Sequence, residues 1–341
     1  MDSESWQSIL ARRFRSLTTI AYNENLLALE RTPVAFVQEI KSLSQVPMEY
    51  ENSDLLDEAL DIMPLAALYE QAEAAVLQDP SWSMQDHLIR ALLKWFRNDL
   101  FEWVNSPKCE ICGADSRPKG PTAPTHGEQQ DGAGRVELFE CTSCGAAIRF
   151  PRYSKPRRLL TYRKGRCGEW ANCFALLCRA LGSTTRWIWN AEDHVWVEVY
   201  STAQKRWIHA DPCETAWDNP RLYEQGWGKK MSYVLAFSAD GARDVSWRYI
   251  RNPRLPRNRI SEVQLGLVLK SITTKRRELI SPAERTSLEQ IDIAETCELA
   301  NTILIDDSGL ASMSLSALTM NQPRQSGAGS WTRSRGEDGR T

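Results

Sequence analysis

A thiol, an imidazole and a carboxylate stand in the order Cys167, His194, Asp211, within one short stretch of a 341-residue chain. A thiolate is a strong nucleophile. An imidazole beside it can take its proton and later return it to a leaving group, and a carboxylate can fix the imidazole's tautomer. The chemistry such a set performs is acyl transfer from an amide or ester. A second group, Cys109-x-x-Cys112 and Cys141-x-x-Cys144, has the spacing of two metal-binding knuckles, each followed by a glycine that allows a tight turn.

Three elements must position the first set. Apolar residues at Trp170, Cys173, Phe174, Leu177, Cys178 and Leu181 predict a helix that starts at Cys167 and stops at Gly182. A thiol at a helix start feels the positive end of the helix dipole, which favours its anion. Gly165 and Gly168 are expected to let the backbone turn there and keep the sulfur accessible. Val195, Val197 and Val199 alternate with Trp196, Glu198 and Tyr200, which predicts a strand that begins at His194. In the next strand Trp207, His209 and Asp211 share a face. The short polar linker 201–205 joins the two as an antiparallel hairpin, so His194 and Asp211 can lie side by side.

Each residue alone has a plainer reading. A cysteine near a helix start is usually a small buried hydrophobe. A histidine opening a strand is usually a packing or surface residue, and His209 fits a structural or supporting role. The chemistry leaves three readings open: an amidase, a transglutaminase or peptidase with the same three residues, and a non-catalytic scaffold.

The motifs Gly-Arg-Cys-Gly-Glu-Trp-Ala-Asn-Cys-Phe (165–174), Trp-Asn-Ala-Glu-Asp-His-Val-Trp (189–196), Asp-Pro-Cys-Glu (211–214) and Gly-Lys-Lys-Met-Ser-Tyr-Val-Leu-Ala-Phe (228–237) resemble the cytoplasmic peptide:N-glycanases, a transglutaminase-like branch related to papain. The fungal form is the nearest in organisation. The resemblance runs from about residue 83 to 251. It implies removal of N-linked glycans from misfolded glycoproteins in endoplasmic-reticulum-associated degradation, with Asn converted to Asp. It implies Cys167, His194 and Asp211 as the catalytic residues and Glu214 as a contact to the chitobiose core. Trp103 matches a family position near the cleft, and Trp196 and Trp207 are expected to line it as well. The resemblance also implies one structural zinc on Cys109, Cys112, Cys141 and Cys144. Redox dithiols or a nucleic-acid-binding zinc module are what the cysteine spacing would otherwise allow. Some filamentous-fungal relatives have lost the catalytic Cys and His; this chain keeps both. A degenerate scaffold linking glycoproteins to the proteasome pathway is the alternative.

The fold class expected is α+β: a papain-like, transglutaminase-like core with an antiparallel sheet, helical flanks and a four-cysteine zinc-binding knuckle. The organisation expected is a helical region at 1–82, a catalytic core at 83–257 containing the metal module 105–150, C-terminal helices at 258–321, and a disordered tail at 322–341 rich in Gly, Ser and Arg. The linker 113–140, with many Pro and Gly, reads as a flexible excursion, and His126 within it as no ligand. Residues 6–22 read as an amphipathic helix that packs on its own domain. In the fungal family that helix instead docks a proteasome shuttle protein carrying a ubiquitin-like domain. A net charge of −2 gives no bulk attraction to nucleic acid or anionic membranes. The acidic N-terminus lacks an apolar signal region, and no apolar run approaches a membrane span. The chain is therefore expected in the cytoplasm, with the nucleus as a second location and the cysteines reduced.

Overall fold

The computed structural model describes residues 35–251, 255–307, 323–334 and 337. The expected helix 6–22 lies outside them. A six-stranded antiparallel sheet forms the centre, in spatial order β11-β10-β6-β7-β8-β9. Its strands are β6 (Thr185–Asn190), β7 (His194–Ser201), β8 (Arg206–Asp211), β9 (Ala216–Trp217), β10 (Val234–Ser238) and β11 (Gly241–Asp244). The hairpin expected from the valine alternation is present, with Val197 opposite Ala210 and Val199 opposite Ile208.

The expected helix starting at Cys167 is α7 (Cys167–Ala180), and it lies across β6 and β7. Nearly every residue from Glu169 to Cys178 is buried, because other helices cover its far side. Packed on it are α2 (Ser53–Asp61), α4 (Met84–Trp95) and α6 (Pro156–Tyr162), while α1 (Ala35–Leu43) and α3 (Leu65–Gln78) join the same core. Phe36, Val37, Ile40, Leu68, Leu92, Phe96, Phe174, Val197 and Ile208 all belong to one core. The boundary expected at residue 82 therefore divides elements that share a single hydrophobic interior. Helix α4 begins as its sequence predicts: Ser83 and Asp86 form a reciprocal capping box. Beyond the sheet, α9 (Glu262–Arg277) adds Leu265, Val268 and Leu269 to the same core. Helix α10 (Pro282–Asp307) docks through Glu295, which bonds the buried Arg186 and Arg248.

Two expectations are corrected. The linker between the cysteine pairs is not a flexible excursion. It folds as β2 (Ser116–Thr122), α5 (His126–Gln130) and β3 (Ala133–Cys141), and β3 pairs onward with β4 (Ala147–Tyr153). Two of its three prolines, Pro118 and Pro121, lie on the edge strand, where a missing N–H is tolerated, and the register shifts at Pro118/Gly120. The tail expected to be disordered carries ordered residues. Residues 323–334 and 337 are described, with Arg324, Ser326 and Glu337 buried. Among the described residues no helix is long and apolar enough to cross a membrane.

Candidate active site

Cys167 is the first residue of α7 and is half-buried. The residues around it explain the local motif. Glu169 accepts from the Arg166 N–H at 2.9 Å, capping the helix, and takes two further bonds from Arg152 at 2.7 Å each. Gly165 is required by crowding, not by its backbone angle: a Cβ there would sit 2.9 Å from Glu169 Oε2 and closer still to its Cβ. Gly168 lies within the helix and a Cβ on it would meet nothing within 4 Å among the described residues, so the sharp turn expected of the two glycines is absent. Strand β5 (Lys164–Gly165) pairs with β1 (Glu102–Trp103), which sets Trp103 opposite Gly165, two residues before Cys167.

His194 and Asp211 are both buried and 2.8 Å apart, Nε2 to Oδ2. Asp211 takes two more donors: the Cys213 N–H at 2.8 Å on Oδ1 and the Tyr223 hydroxyl at 2.9 Å on Oδ2. The Tyr223 proton is directed there by its other partner. Asn219 N–H donates to His209 Nδ1, so His209 Nε2 carries the proton and donates to the Tyr223 oxygen at 2.6 Å. The chain His209–Tyr223–Asp211–His194 thus fixes the orientation of the imidazole. Asp211 is held down to about 2: burial would raise it, but His194 and the donors outweigh that. His194 is lowered by burial, against the pull of Asp211, so the resting imidazole is neutral. With Nε2 on Asp211, its Nδ1 has no hydrogen-bond partner among the described residues and is available for proton transfer.

Asp193, the neighbour of His194, lies within electrostatic reach of the Cys167 thiol, and Cys213 feels both Cys167 and Asp211. The three candidate residues are therefore gathered at one place. The helix start does not by itself activate the thiol. Burial, aided by Asp193, pushes it up to about 11, against the lowering effect of Arg324 and Arg152. In this state both members of the thiol–imidazole pair are uncharged.

The aromatic residues separate. Trp103 is half-buried and lines a cavity of about 550 Å³ with Trp170, Asn105, Gln325 and Ser326. Trp196 does not line the cleft as expected. It is fully buried, with its ring 4.3 Å from Tyr223, 4.8 Å from Tyr249 and 5.6 Å from His194. Trp207 is likewise buried, 3.7 Å beneath the Arg186 guanidinium, and supports the ion network of Arg186, Glu198, Arg248 and Glu295. A ring with no open face cannot stack on a sugar arriving from solvent. Glu214 is buried, with both carboxylate oxygens accepting from the backbone of the C-terminal segment, Gln325 N–H at 2.6 Å and Ser326 N–H at 3.3 Å. Burial raises its pKa.

Cys109, Cys112, Cys141 and Cys144 have all four sulfurs within 4.8 Å of one another. Adjacent pairs are 3.7, 3.4 and 3.6 Å apart. A tetrahedron with metal–sulfur bonds of about 2.3 Å has edges of about 3.8 Å, so the four residues fit a metal ion. Gly113 and Gly145 adopt φ of 72° and 70° at equivalent places in the two knuckles. The module is coupled to the start of α7. Glu137 on β3 accepts from Arg152 at 3.0 Å and from Arg166 at 2.9 and 2.8 Å, and Arg166 also holds the Val104 and Asn105 carbonyls.

Comparison with known proteins agrees with this geometry. A family profile described as the transglutaminase-like superfamily matches residues 121–212, and one described as the Rad4 transglutaminase-like domain matches residues 190–300. A Yarrowia lipolytica protein named peptide-N(4)-(N-acetyl-β-glucosaminyl)asparagine amidase is 47% identical over 306 residues, covering 88% of this chain and 83% of that one. This chain belongs to that amidase family. The amidase of Saccharomyces cerevisiae is 37% identical over 299 residues, covering 85% of this chain and 82% of its own. The fold is also similar to a crystal structure of Rad4–Rad23 crosslinked to an undamaged DNA, with a TM-score of 0.50 at 14% identity over 90% of this chain and 61% of that chain. That likeness is one of fold alone.

Proposed function

We propose that this chain is a peptide-N(4)-(N-acetyl-β-glucosaminyl)asparagine amidase that removes N-linked glycans from glycoproteins and leaves aspartate in the peptide. The observation that carries the reading is the buried His194–Asp211 pair, locked by Tyr223 and Cys213, beside Cys167 at a helix start. Cys167 Sγ attacks the side-chain carbonyl carbon of the glycosylated asparagine while His194 Nδ1 takes the thiol proton. The tetrahedral adduct collapses, the carbon–nitrogen bond breaks, and His194 returns the proton to the departing glycosylamine. Water, deprotonated by the same imidazole, then attacks the thioester, releasing the carboxylic acid and the free thiol. Asp211 stays ionised throughout and stabilises the transient imidazolium. Proton transfer from thiol to imidazole accompanies attack, since both begin uncharged.

Glu214 is the sugar contact in this reading, because a carboxylate can accept from two sugar hydroxyls at once. Trp103 borders the same space. A zinc ion on Cys109, Cys112, Cys141 and Cys144 would serve structurally, since a closed four-thiolate site has no open position for substrate. Through Glu137, Arg152 and Arg166 it braces the helix carrying Cys167. The substrates proposed are misfolded glycoproteins in endoplasmic-reticulum-associated degradation, met in the cytoplasm and nucleus. A shuttle protein with a ubiquitin-like domain, docking on residues 6–22, is proposed from the sequence resemblance. The test is a denatured high-mannose glycoprotein against the same protein without glycan. Release of intact glycan without peptide cleavage or crosslinking supports an amidase. Peptide cleavage or crosslinking instead would mean another amide is the substrate.

A further inference from the structure

The C-terminal segment reaches Glu214. Gln325 and Ser326 give their N–H groups to Glu214, at 2.6 and 3.3 Å, and the Ser326 hydroxyl bonds Glu214 Oε1 as well. Both oxygens of the carboxylate are thereby taken. Arg324 is buried with its guanidinium 4.5 Å over the Trp227 ring and 3.9 Å from Glu214 Oε1. Its other partner is Glu337, which in turn pairs with Lys229, and both of those side chains are buried. Gln325, Ser326 and Gly327 line the same cavity as Trp103 and Trp170. The Arg324 charge is felt by Cys167, His194 and Cys213 alike.

We propose that the cleft of this protein holds a peptide ligand of its own: residues 324–326, clamped by the Glu337–Lys229 pair, occupy the sugar subsite and shield Cys167. The proposal rests on the amidase reading of the cleft. A glycan and the segment need the same two oxygens of Glu214, so they exclude each other. The segment supplies what a sugar would supply, two or three hydrogen-bond donors to a carboxylate, with Arg324 neutralising that carboxylate in its burial. Its hold is made mostly of buried ion pairs. Such pairs gain little net free energy once their desolvation is counted, which leaves the segment displaceable by a ligand that matches the site better. A cleft closed about nine-tenths of the time lowers apparent substrate affinity about tenfold.

The test uses the full chain and two variants. Ser326→Pro removes both donors of that residue to Glu214 and leaves Arg324 in place. Arg324→Glu sets a carboxylate against Glu214 and Glu337. Cys167 is alkylated with iodoacetamide at neutral pH and followed by peptide mass spectrometry, with melting temperature checked in parallel. Both variants are expected to react about tenfold faster than the native chain. Arg324→Glu should do so even though losing the cation disfavours the thiolate, so a purely electrostatic role predicts the opposite sign. A synthetic peptide of residues 323–337, added to the Ser326→Pro variant, should restore slow alkylation. With glycopeptide substrate, Ser326→Pro should lower KM several-fold and leave kcat unchanged. Equal alkylation rates and equal KM in native and variant chains would overturn the proposal. Faster alkylation in the variants without glycan release by any form would support shielding of Cys167 and remove the amidase reading instead.

Discussion

Tyr223→Phe is the sharpest probe of how the Asp211 carboxylate is held. The substitution deletes one oxygen in a buried, well-packed place and leaves the ring contacts with Trp196 and Trp227. It removes two hydrogen bonds at once. Asp211 loses one of its three donors, and the proton on His209 Nε2 is left buried without an acceptor. A hydrogen bond to a charged group contributes about 1.5–3 kcal/mol, and an orphaned buried donor costs about 1–3 kcal/mol. The two overlap, so the expected loss of stability is about 2–4 kcal/mol. The pH dependence has a definite sign. Asp211 lies near 2 in the folded chain, against an ordinary value of 3.8. Its contribution is therefore complete above pH 4 and is lost as pH falls from about 4 to 2. Weakening its donors raises its folded pKa, so the variant should unfold at higher pH on acid titration. At neutral pH the carboxylate remains ionised, and kcat should fall by less than Asp211→Asn lowers it. Urea unfolding at pH 7, acid titration by circular dichroism, and steady-state kinetics on a glycopeptide read all three. A Tyr223→Phe chain within about 0.5 kcal/mol of native stability, with an unshifted acid midpoint, would refute the brace.

Four further outcomes are expected. Stability should fall between pH 7 and pH 5 by about 2 kcal/mol from His209 alone, because burial holds that imidazole neutral down to about 4 while the unfolded residue protonates near 6.5; urea unfolding at the two pH values measures it. Stripping the four-cysteine site with a chelator should lower melting temperature and activity together, and re-addition of zinc should restore both; activity unchanged in verified metal-free protein would dissociate the module from the cleft. Gly165→Ala should cost about 1–3 kcal/mol and reduce kcat, since the new methyl displaces Glu169 from the start of α7. Gly168→Ala, with nothing described within 4 Å, should leave stability unchanged or raised in the same urea titration.

What the sequence carried well was local. The period of Trp170, Phe174 and Leu177 marks α7, the valine alternation marks β7, and the two Cys-x-x-Cys-Gly knuckles mark the metal site. Their spacing is dictated by backbone geometry a few residues long, so it survives in the letters. What it hid was pairing across distance. Glu137 meets Arg152 and Arg166, Tyr223 meets His209 and Asp211, and Glu337 meets Lys229, at separations from 12 to 108 residues. Some signal for the brace was present, since His209 shares a strand face with Asp211. Composition misled in two places. Proline and glycine between the knuckles suggested a flexible loop, yet Pro118, Gly120 and Pro121 sit on an edge strand, where a missing N–H does no harm. The Gly- and Ser-rich tail has few apolar residues, and its docking depends on charge pairs and main-chain donors that composition does not register. Tryptophan was ambiguous throughout: Trp103 borders the cleft, while Trp196 and Trp207 support the sheet's other face.

The central claim is that Cys167 hydrolyses the glycan–asparagine amide through an acyl-enzyme. The most direct measurement is peptide mass spectrometry of a denatured high-mannose glycoprotein after incubation in heavy-oxygen water, with the native chain and with Cys167→Ala. The account predicts aspartate carrying one heavy oxygen at each former glycosylation site, and intact glycosylated asparagine with the variant. Unchanged asparagine with a folded, zinc-loaded native chain, or equal conversion by Cys167→Ala, would contradict it.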